Sequence, residues 1–566
     1  MTFKAVGGYD TQTSRRDYYI PTTAGNYLAP NGMATVAGQE STNRSLEGYF
    51  NYATTFSDHR LDAVLGFGAY GTDFRSYILQ SSNFWTDSFV TDNMSIGSDN
   101  DQRYTGTSRA ETRKYSQFAR INYTFKDRYI LSVTGRRDGS SVFAANKKWG
   151  FFPSVSAAWR ISDEPWMSGS NSWLSNLKLR AGYGTSGNEP MRANALSVYA
   201  TGEITGANVV IPYAVMTSGG YIGGIQLSTI ANPDLSWETN ETVNIGLDFG
   251  FAHSRVTGSI DYFIRTARDL IDYKTLPYDQ PVTQVISNIG STQAKGVEFE
   301  LHSINVRTRD FSWKTDFNFS YTRYRWLTRN PELVLNSWEN VNDEMSAIFG
   351  WSTDGIFHNY DEINAYKNSK GELLQPNAVP GNIRYVDYNG DGVLDDGDNH
   401  YLGVSTAPFR FGFNNVFSYK RFSAMIYFYG AAGHTVNSPN QRGSAMGGAE
   451  QHNTYVNSIE HVWSMKNQTG DWPGIGADLT SSTQRTGGSH DFFLKKIWYA
   501  KLRNVQLSYM IPDKAAKAIK LSSLAVTLDA QNLGTLTNYV GYDPEIRGNY
   551  PYPICYSFTL GLKASF

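Results

Sequence analysis

The sequence predicts an all-β fold, a transmembrane antiparallel β-barrel with about 16 strands and long extracellular loops. Three observations lead there. Apolar and polar side chains alternate with period two along many segments, the repeat of a strand whose two faces meet different surroundings. Most of these segments run nine to fourteen residues, beyond the ~5–6 of ordinary strands and near the ~9–11 that a tilted strand needs to cross a bilayer. The links between them alternate short and long, as in barrels whose turns face one compartment and whose loops face the other.

In chain order the segments fall near residues 2–9, 47–57, 60–70, 115–125, 128–136, 150–161, 175–184 and 238–252, then 255–265, 289–302, 310–322, 408–419, 422–430, 498–511, 522–532 and 554–566. Three show the alternation most clearly. Val256, Gly258, Ile260, Tyr262 and Ile264 oppose Arg255, Thr257, Ser259, Asp261 and Arg265, with Phe263 breaking the pattern. Phe311, Trp313, Thr315, Phe317, Phe319 and Tyr321 oppose Asp310, Ser312, Lys314, Asp316, Asn318 and Ser320. At the end of the chain Tyr556, Phe558, Leu560, Leu562, Ala564 and Phe566 face away from Ser557, Thr559, Gly561, Lys563 and Ser565. Short links fall at Asp58-His59, Lys126-Asp127, His253-Ser254, 303–309, Lys420-Arg421 and 512–521, and long ones at 10–46, 71–114, 185–237, 266–288, 323–407, 431–497 and 533–553. The links 162–174 and 137–149 break the alternation, the first too long and the second too short. A soluble β-sandwich also alternates, but its strands are shorter and its outward faces polar.

Composition narrows the function. The 566 residues carry 50 basic and 52 acidic side chains, a net charge of -2 that lacks the basic excess of a nucleic-acid binder. Aromatic residues make up 14% and charged residues only 18%, which excludes a disordered chain. One cysteine, Cys555, excludes an intrachain disulfide framework and any zinc site with two thiolates. No apolar run approaches the ~18 residues of a transmembrane helix. The first residues, MTFKAVGGYDTQTSRRDYYI, lack the charged, apolar and small-residue regions of a secretory signal, so the reading here is either a cytoplasmic protein or a true start that lies upstream.

The run RYILSVTGRRDGSSVFAANKKWGFFPSVSAAWRISDEPWM (128–167) and the LKLRAGYGTSGN that follows (177–188) resemble the barrel of the SusC/RagA family of TonB-dependent outer-membrane transporters. NPDLSWETNETVNIGLDFG (232–250), NIGSTQAKGVEFEL (288–301), DYNGDGVLDDGDNHYLG (387–403), YAKLRNVQLSYMIP (499–512) and QNLGTLTNYVGYDPE (531–545) are similar to the same pattern. The part before residue 115 fits only as generic barrel. The resemblance implies a barrel of about 22 strands in the outer membrane of a Gram-negative bacterium. It implies import of glycans or peptides, a SusD-like surface lipoprotein as lid, and energy passed from the TonB complex. The family's signal peptide, small periplasmic domain, TonB-contacting segment and plug find no match here. Residues 1–566 therefore read as a carboxy-terminal barrel portion, with Met1 an internal methionine and roughly six strands lying upstream. An unclosed sheet would leave unpaired backbone groups in lipid, at several kcal/mol each. An even count of sixteen could instead close as a passive porin, and a surface glycan-binding adhesin is the alternative of a different class.

Within the long link 323–407 lies the sharpest chemical motif, residues 387–398. Asp387, Asn389, Asp391, Val393 (through its carbonyl), Asp395 and Asp398 stand where a calcium loop places oxygen ligands, with Gly392 at the turning position. Ca2+ is hard and takes six to eight oxygens, so close-set carboxylates on a tight turn suit it. Asp398 replaces the usual Glu, which shortens the bidentate arm and resembles dockerin-type loops. A structural calcium site is the expectation, against the plainer reading of an acidic, solvated Asx turn.

Other motifs carry less. Gly66-Phe67-Gly68-Ala69-Tyr70-Gly71 spells GxGxxG inside an alternating strand with no following helix, so its glycines read as relief of crowding where the strand bends. HExxH and GxSxG are both missing from the sequence, and no enzymatic constellation is readable. Arg136-Arg137-Asp138 reads as a charge cluster at a strand end. Trp85, Tyr360 and Trp472 in long links are candidates for stacking on sugar rings. Phe566, the terminal aromatic, looks like the assembly signal read by the outer-membrane insertion machinery.

Overall fold

The computed structural model describes residues 1–24, 31–98, 104–170, 172–190, 198–201, 215–217, 220–222, 225–277, 280, 282–437, 458–474, 490–541, 543–546 and 554–565. Sixteen strands form one sheet in which each neighbours the next in chain order. They are β1 (Thr2–Ile20), β2 (Met33–Phe56), β3 (His59–Ser82), β4 (Tyr104–Phe125), β5 (Tyr129–Ser140), β6 (Trp149–Arg160), β7 (Leu174–Asn188) and β8 (Glu238–Phe251). The series continues with β9 (Val256–Arg268), β10 (Ser291–Arg307), β11 (Phe311–Thr328), β12 (Phe409–Tyr419), β13 (Phe422–Asn437), β14 (Leu494–Met510), β15 (Ser523–Thr537) and β16 (Ser557–Ser565). Each of the sixteen expected segments falls on one of these strands. The chain divides into two compact units, one of Met1–Ala158, Gly182–Glu241 and Ala267–Ile289 and the other of Trp159–Ala181, Thr242–Thr266 and Gly290–Phe566.

In the first unit the strands outrun the expectation. The β1–β2 ladder continues to Ile20↔Met33, β2–β3 to Met33↔Ser82 and β3–β4 to Gln80↔Tyr104, through stretches expected to be loop. The reason is visible in the side chains. Thr11 bonds Thr42 at 3.4 Å and Thr72 bonds Asn43 at 2.9 Å, so both faces there carry polar side chains. Period-two contrast disappears where both faces carry polar side chains, while the backbone ladder still pairs each strand with its neighbour. At the opposite ends the turns are tight. Lys126 and Asp127 both adopt positive φ (53° and 52°) and the Arg128 N–H closes back on the Phe125 carbonyl at 3.0 Å, the left-handed backbone that matches hairpin twist.

In the second unit the register sorts side chains by chemistry. Phe299 pairs with Phe319, Leu301 with Phe317 and Phe317 with Phe413, while Glu300 meets Asn318 and Asp316 meets Asn414 on the other face. Trp313 and Phe417 stack at 5.6 Å, and each such cross-strand pair contributes roughly 0.2–1 kcal/mol. In a membrane barrel the apolar set meets lipid and the polar set lines the lumen.

The link after β11 is shorter than the expected 323–407 and is folded. Ala347–Gly350 pairs with His400–Val404, and Thr353–Ile356 pairs with Ile383–Tyr385. A one-turn helix, Tyr360–Ala365, starts on Asn359, whose side chain accepts the Glu362 N–H at 2.9 Å. Trp351, Ile356, Ile383 and Tyr385 form a buried core against which Leu394, Trp463 and Phe492 pack. The long link is thus a small subdomain with its own hydrophobic centre.

Candidate functional site

On the lumen face of the second unit, near the ends of the strands that carry long links, a cavity of about 480 Å³ opens between β11, β12, β13 and β14. Asn318, Arg410, Tyr427, Tyr429 and Tyr499 reach it, with Glu545 from the link after β15. Register brings them together: Ser320 pairs with Arg410, Arg410 with Ala431, Ala431 with Tyr499, and Tyr429 with Lys501. Alternation then points these side chains to one face.

A buried ion network forms the wall of this cavity. Lys501, only 6% exposed, donates to both oxygens of Asp543 at 2.7 Å and to Glu545 at 2.7 Å. Glu545 also accepts from the hydroxyls of Tyr429 and Tyr499, the second at 3.1 Å. Burial pushes the Glu545 carboxyl up, but the Lys501 ammonium and the tyrosine hydroxyls outweigh it and hold the group below the usual carboxylate range. Two carboxylates sharing one ammonium tie the link after β15 to the wall. The Arg410 side chain makes no ion pair or hydrogen bond among the described residues, and its guanidinium lines the cavity near Tyr499. The site pairs a free cation with tyrosine rings and hydroxyls, a lining suited to a polar ligand with apolar faces.

The chain reaches this arrangement from two family-like segments read above, 499–512 and 531–545. Neither was singled out for Lys501 or Glu545. The signal available was a charge pattern: opposite charges on two neighbouring segments of a chain poor in charge.

The 387–398 segment turns tightly, with Gly390 at φ 73° and Gly392 at φ 87°, conformations that favour glycine. Its side chains are engaged with the backbone. Asp387 accepts from Gly390 and Gly392 N–H groups, both at 2.8 Å, Asn389 from Asp391 N–H at 2.9 Å and Asp391 from Val393 N–H at 2.8 Å. Asp395 accepts from Gly397 at 2.6 Å, and Asp398, fully buried, accepts from Tyr388 and Asp395 at 2.8 and 2.9 Å. Among the described residues no group of three or more His, Cys, Asp or Glu side chains gathers in a metal-holding arrangement. The six expected ligand positions are therefore near one another along a turn, and their carboxylates do not converge on one point.

The remaining candidates divide. Gly66 is paired on both sides, and a side chain there would meet the Phe118 ring at 2.3 Å, so the glycine makes room for a neighbouring aromatic rather than for a bend. Arg136 bonds Asp138 at 2.7 Å and Arg137 lies over the Trp149 ring at 4.3 Å, a strand-end cluster as expected. Trp472 stacks on His461 at 4.9 Å, whereas Trp85 and Tyr360 are exposed. Phe566 lies outside the described residues.

The family model for TonB dependent receptor-like β-barrels matches residues 2–429. The chain belongs to the TonB-dependent receptor β-barrel family. Its curated relatives include TonB-dependent receptor P3 of Formosa agariphila, 28% identical over all of this chain and 56% of the relative, and TonB-dependent receptor SusC of Bacteroides thetaiotaomicron, 25% identical over 99% and 54%. Among solved structures the RagAB peptide transporter superposes with a TM-score of 0.79 at 23% identity, covering 100% of this chain and 60% of that one, a likeness of fold. The chain thus spans a little over half the length of the curated relatives it matches. Membership places this TonB-dependent receptor barrel in the outer membrane of a Gram-negative bacterium, in a family of receptors and transporters rather than enzymes.

Proposed function

We propose that the chain forms the wall of an outer-membrane nutrient importer of the SusC/RagA type. Glycans or peptides are captured beneath a SusD-like lipoprotein and released inward with energy from the TonB complex. The single observation that carries this reading is the lumen cavity in which Arg410, Asn318 and three tyrosines face a volume of about 480 Å³, walled by the Lys501–Asp543–Glu545 network. Tyrosine rings stack on sugar faces or peptide planes, and the Arg410 guanidinium and the Tyr427 hydroxyl can donate to the hydroxyl, carbonyl or carboxylate oxygens of such a ligand, while the Tyr429 and Tyr499 hydroxyls stay with Glu545. The test is uptake of fluorescent oligosaccharides and peptides by cells with and without a protonophore. Loss of uptake on collapsing the proton-motive force supports the reading; uptake that persists points to passive diffusion, and surface retention without uptake points to an adhesin.

We also propose that residues 387–398 bind calcium in a structural role, ordering the subdomain between β11 and β12. The spacing of Asp387, Asn389, Asp391, Val393, Asp395 and Asp398 and the positive φ of Gly392 support it. Proteolysis within 329–408 should quicken on chelation; equal rates with and without chelator count against the metal.

A further inference from the structure

A second cavity, of about 380 Å³, lies on the opposite face of the same unit, over β9, β10 and the end of β11. Register identifies the face. Leu301 pairs with Phe317, Phe299 with Phe319 and Val297 with Tyr321, and the same face then continues as Lys295 opposite Arg323 and Gln293 opposite Arg325. Tyr262 joins it from β9, where the Thr266 hydroxyl, on the same face as Tyr262, receives the Gln293 amide at 3.1 Å. The apolar, lipid-facing band therefore ends abruptly in a basic cluster.

Height fixes where that cluster sits. From Phe311 to Tyr321 the strand advances about 34 Å, or about 26 Å along the membrane normal at a tilt of ~40°, which matches the ~25 Å apolar belt of such barrels. Lys295, Arg323 and Arg325 come immediately beyond it, at the end that leads into the long link after β11. Long links face outward in outer-membrane barrels, so the cluster lies level with the outer-leaflet headgroups.

The charges there do not balance. Lys295 and Arg323 are directly opposed like charges, an arrangement that costs stability in a sheet. Glu344 answers Arg323 through its side chain and also accepts from the Tyr401 hydroxyl at 2.9 Å. The nearby acids Glu339 and Asp343 turn to Arg329, at 3.3 and 3.8 Å. The Lys295 ammonium makes no ion pair or hydrogen bond among the described residues, and Arg325, which bridges Glu344 through the backbone, meets only the one carboxylate that already pairs with Arg323, above a floor of Tyr262, Val297, Tyr321 and Leu327.

We propose that this cavity seats a phosphorylated glycolipid of the outer leaflet, its phosphoryl group between Lys295 and Arg325 and an acyl chain along Tyr262, Val297 and Tyr321. The apolar floor accounts for the chain, and three cations, Lys295, Arg323 and Arg325, against the single Glu344 carboxylate at headgroup height account for the phosphate. A glycolipid without phosphate would leave this positive excess uncompensated.

Native mass spectrometry of the full-length protein purified from outer membranes tests this, with bisphosphorylated lipid A, dephosphorylated lipid A and inorganic phosphate as probes. The bisphosphorylated lipid should be retained, and the other two should not. The double variant Lys295→Gln/Arg325→Gln, which removes two charge-assisted contacts, should bind bisphosphorylated lipid A at least about tenfold more weakly. Arg325→Lys, which keeps the charge, should retain most of the binding. Equal retention of phosphorylated and dephosphorylated lipid by the unaltered protein would overturn the proposal without any variant. So would undiminished binding by a double variant that keeps its heat-modifiable migration, and a response to inorganic phosphate alone would make this a soluble-anion site.

Discussion

Lys501 holds the Asp543 and Glu545 carboxylates at 2.7 Å while itself almost wholly buried. Replacing it by Met leaves two carboxylates facing each other with no counter-charge, and removing one partner of a buried pair typically costs about 3–5 kcal/mol. The expected outcome for Lys501→Met is faster hydrogen exchange in 538–546 with the wall strands unchanged, and restoration of protection when Asp543→Asn and Glu545→Gln are added. Acid should act on the same contact. The Glu545 carboxyl is held below its ordinary value when folded, so the attachment is complete above the unfolded value and weakens as pH falls through the folded one. Exchange in 538–546, taken relative to the intrinsic amide rate at each pH, should accordingly be flat from neutral pH down to about 5 and rise below about 4, near and beneath the free carboxylate range. A rise centred near neutrality would point to a different group. Little of this site was legible in the sequence, because Lys501 stands 42 and 44 positions from Asp543 and Glu545, and the other residues come from separate strands that only register brings to one cavity.

Elements differ in how openly their sequences declare them. β9 and β11 were readable because one face meets lipid and the other water, which writes period two into the side chains. The outer halves of β1, β2, β3 and β4 were not, since Thr11, Thr42, Asn43 and Thr72 make both faces of the ribbon polar. The subdomain between β11 and β12 escaped for another reason: Trp351, Ile356, Ile383 and Tyr385 come from separated short pairs and show no period at all. Ile383 is fully buried in that core. Ile383→Ala should therefore lower the subdomain's stability by about 2–5 kcal/mol, read as faster proteolysis within 329–408 while heat-modifiable migration is retained. In the first unit, Asp127 sits at φ 52° in the turn between β4 and β5. Asp127→Gly removes that left-handed strain and should slow unfolding of the β4–β5 hairpin modestly, by up to about 1 kcal/mol, read by hydrogen exchange at 122–132.

For the whole molecule, the fold class and the family were legible before any coordinates, because sixteen alternating segments and the family-like runs are spread along most of the chain. The proposed ligands were not, since calcium coordination, substrate contact and lipid seating depend on where side chains converge. This chain is proposed as the wall of an energised importer and its relatives are nearly twice as long, so the size of the native product is the most direct test. An immunoblot of outer-membrane fractions from the source cells, raised against the exposed stretch 332–338, should detect a band near 110 kDa, roughly 63.3 kDa divided by the 56% of the relative that this chain covers. A heat-modifiable band at 63 kDa would contradict the account and leave a closed sixteen-stranded passive barrel in its place.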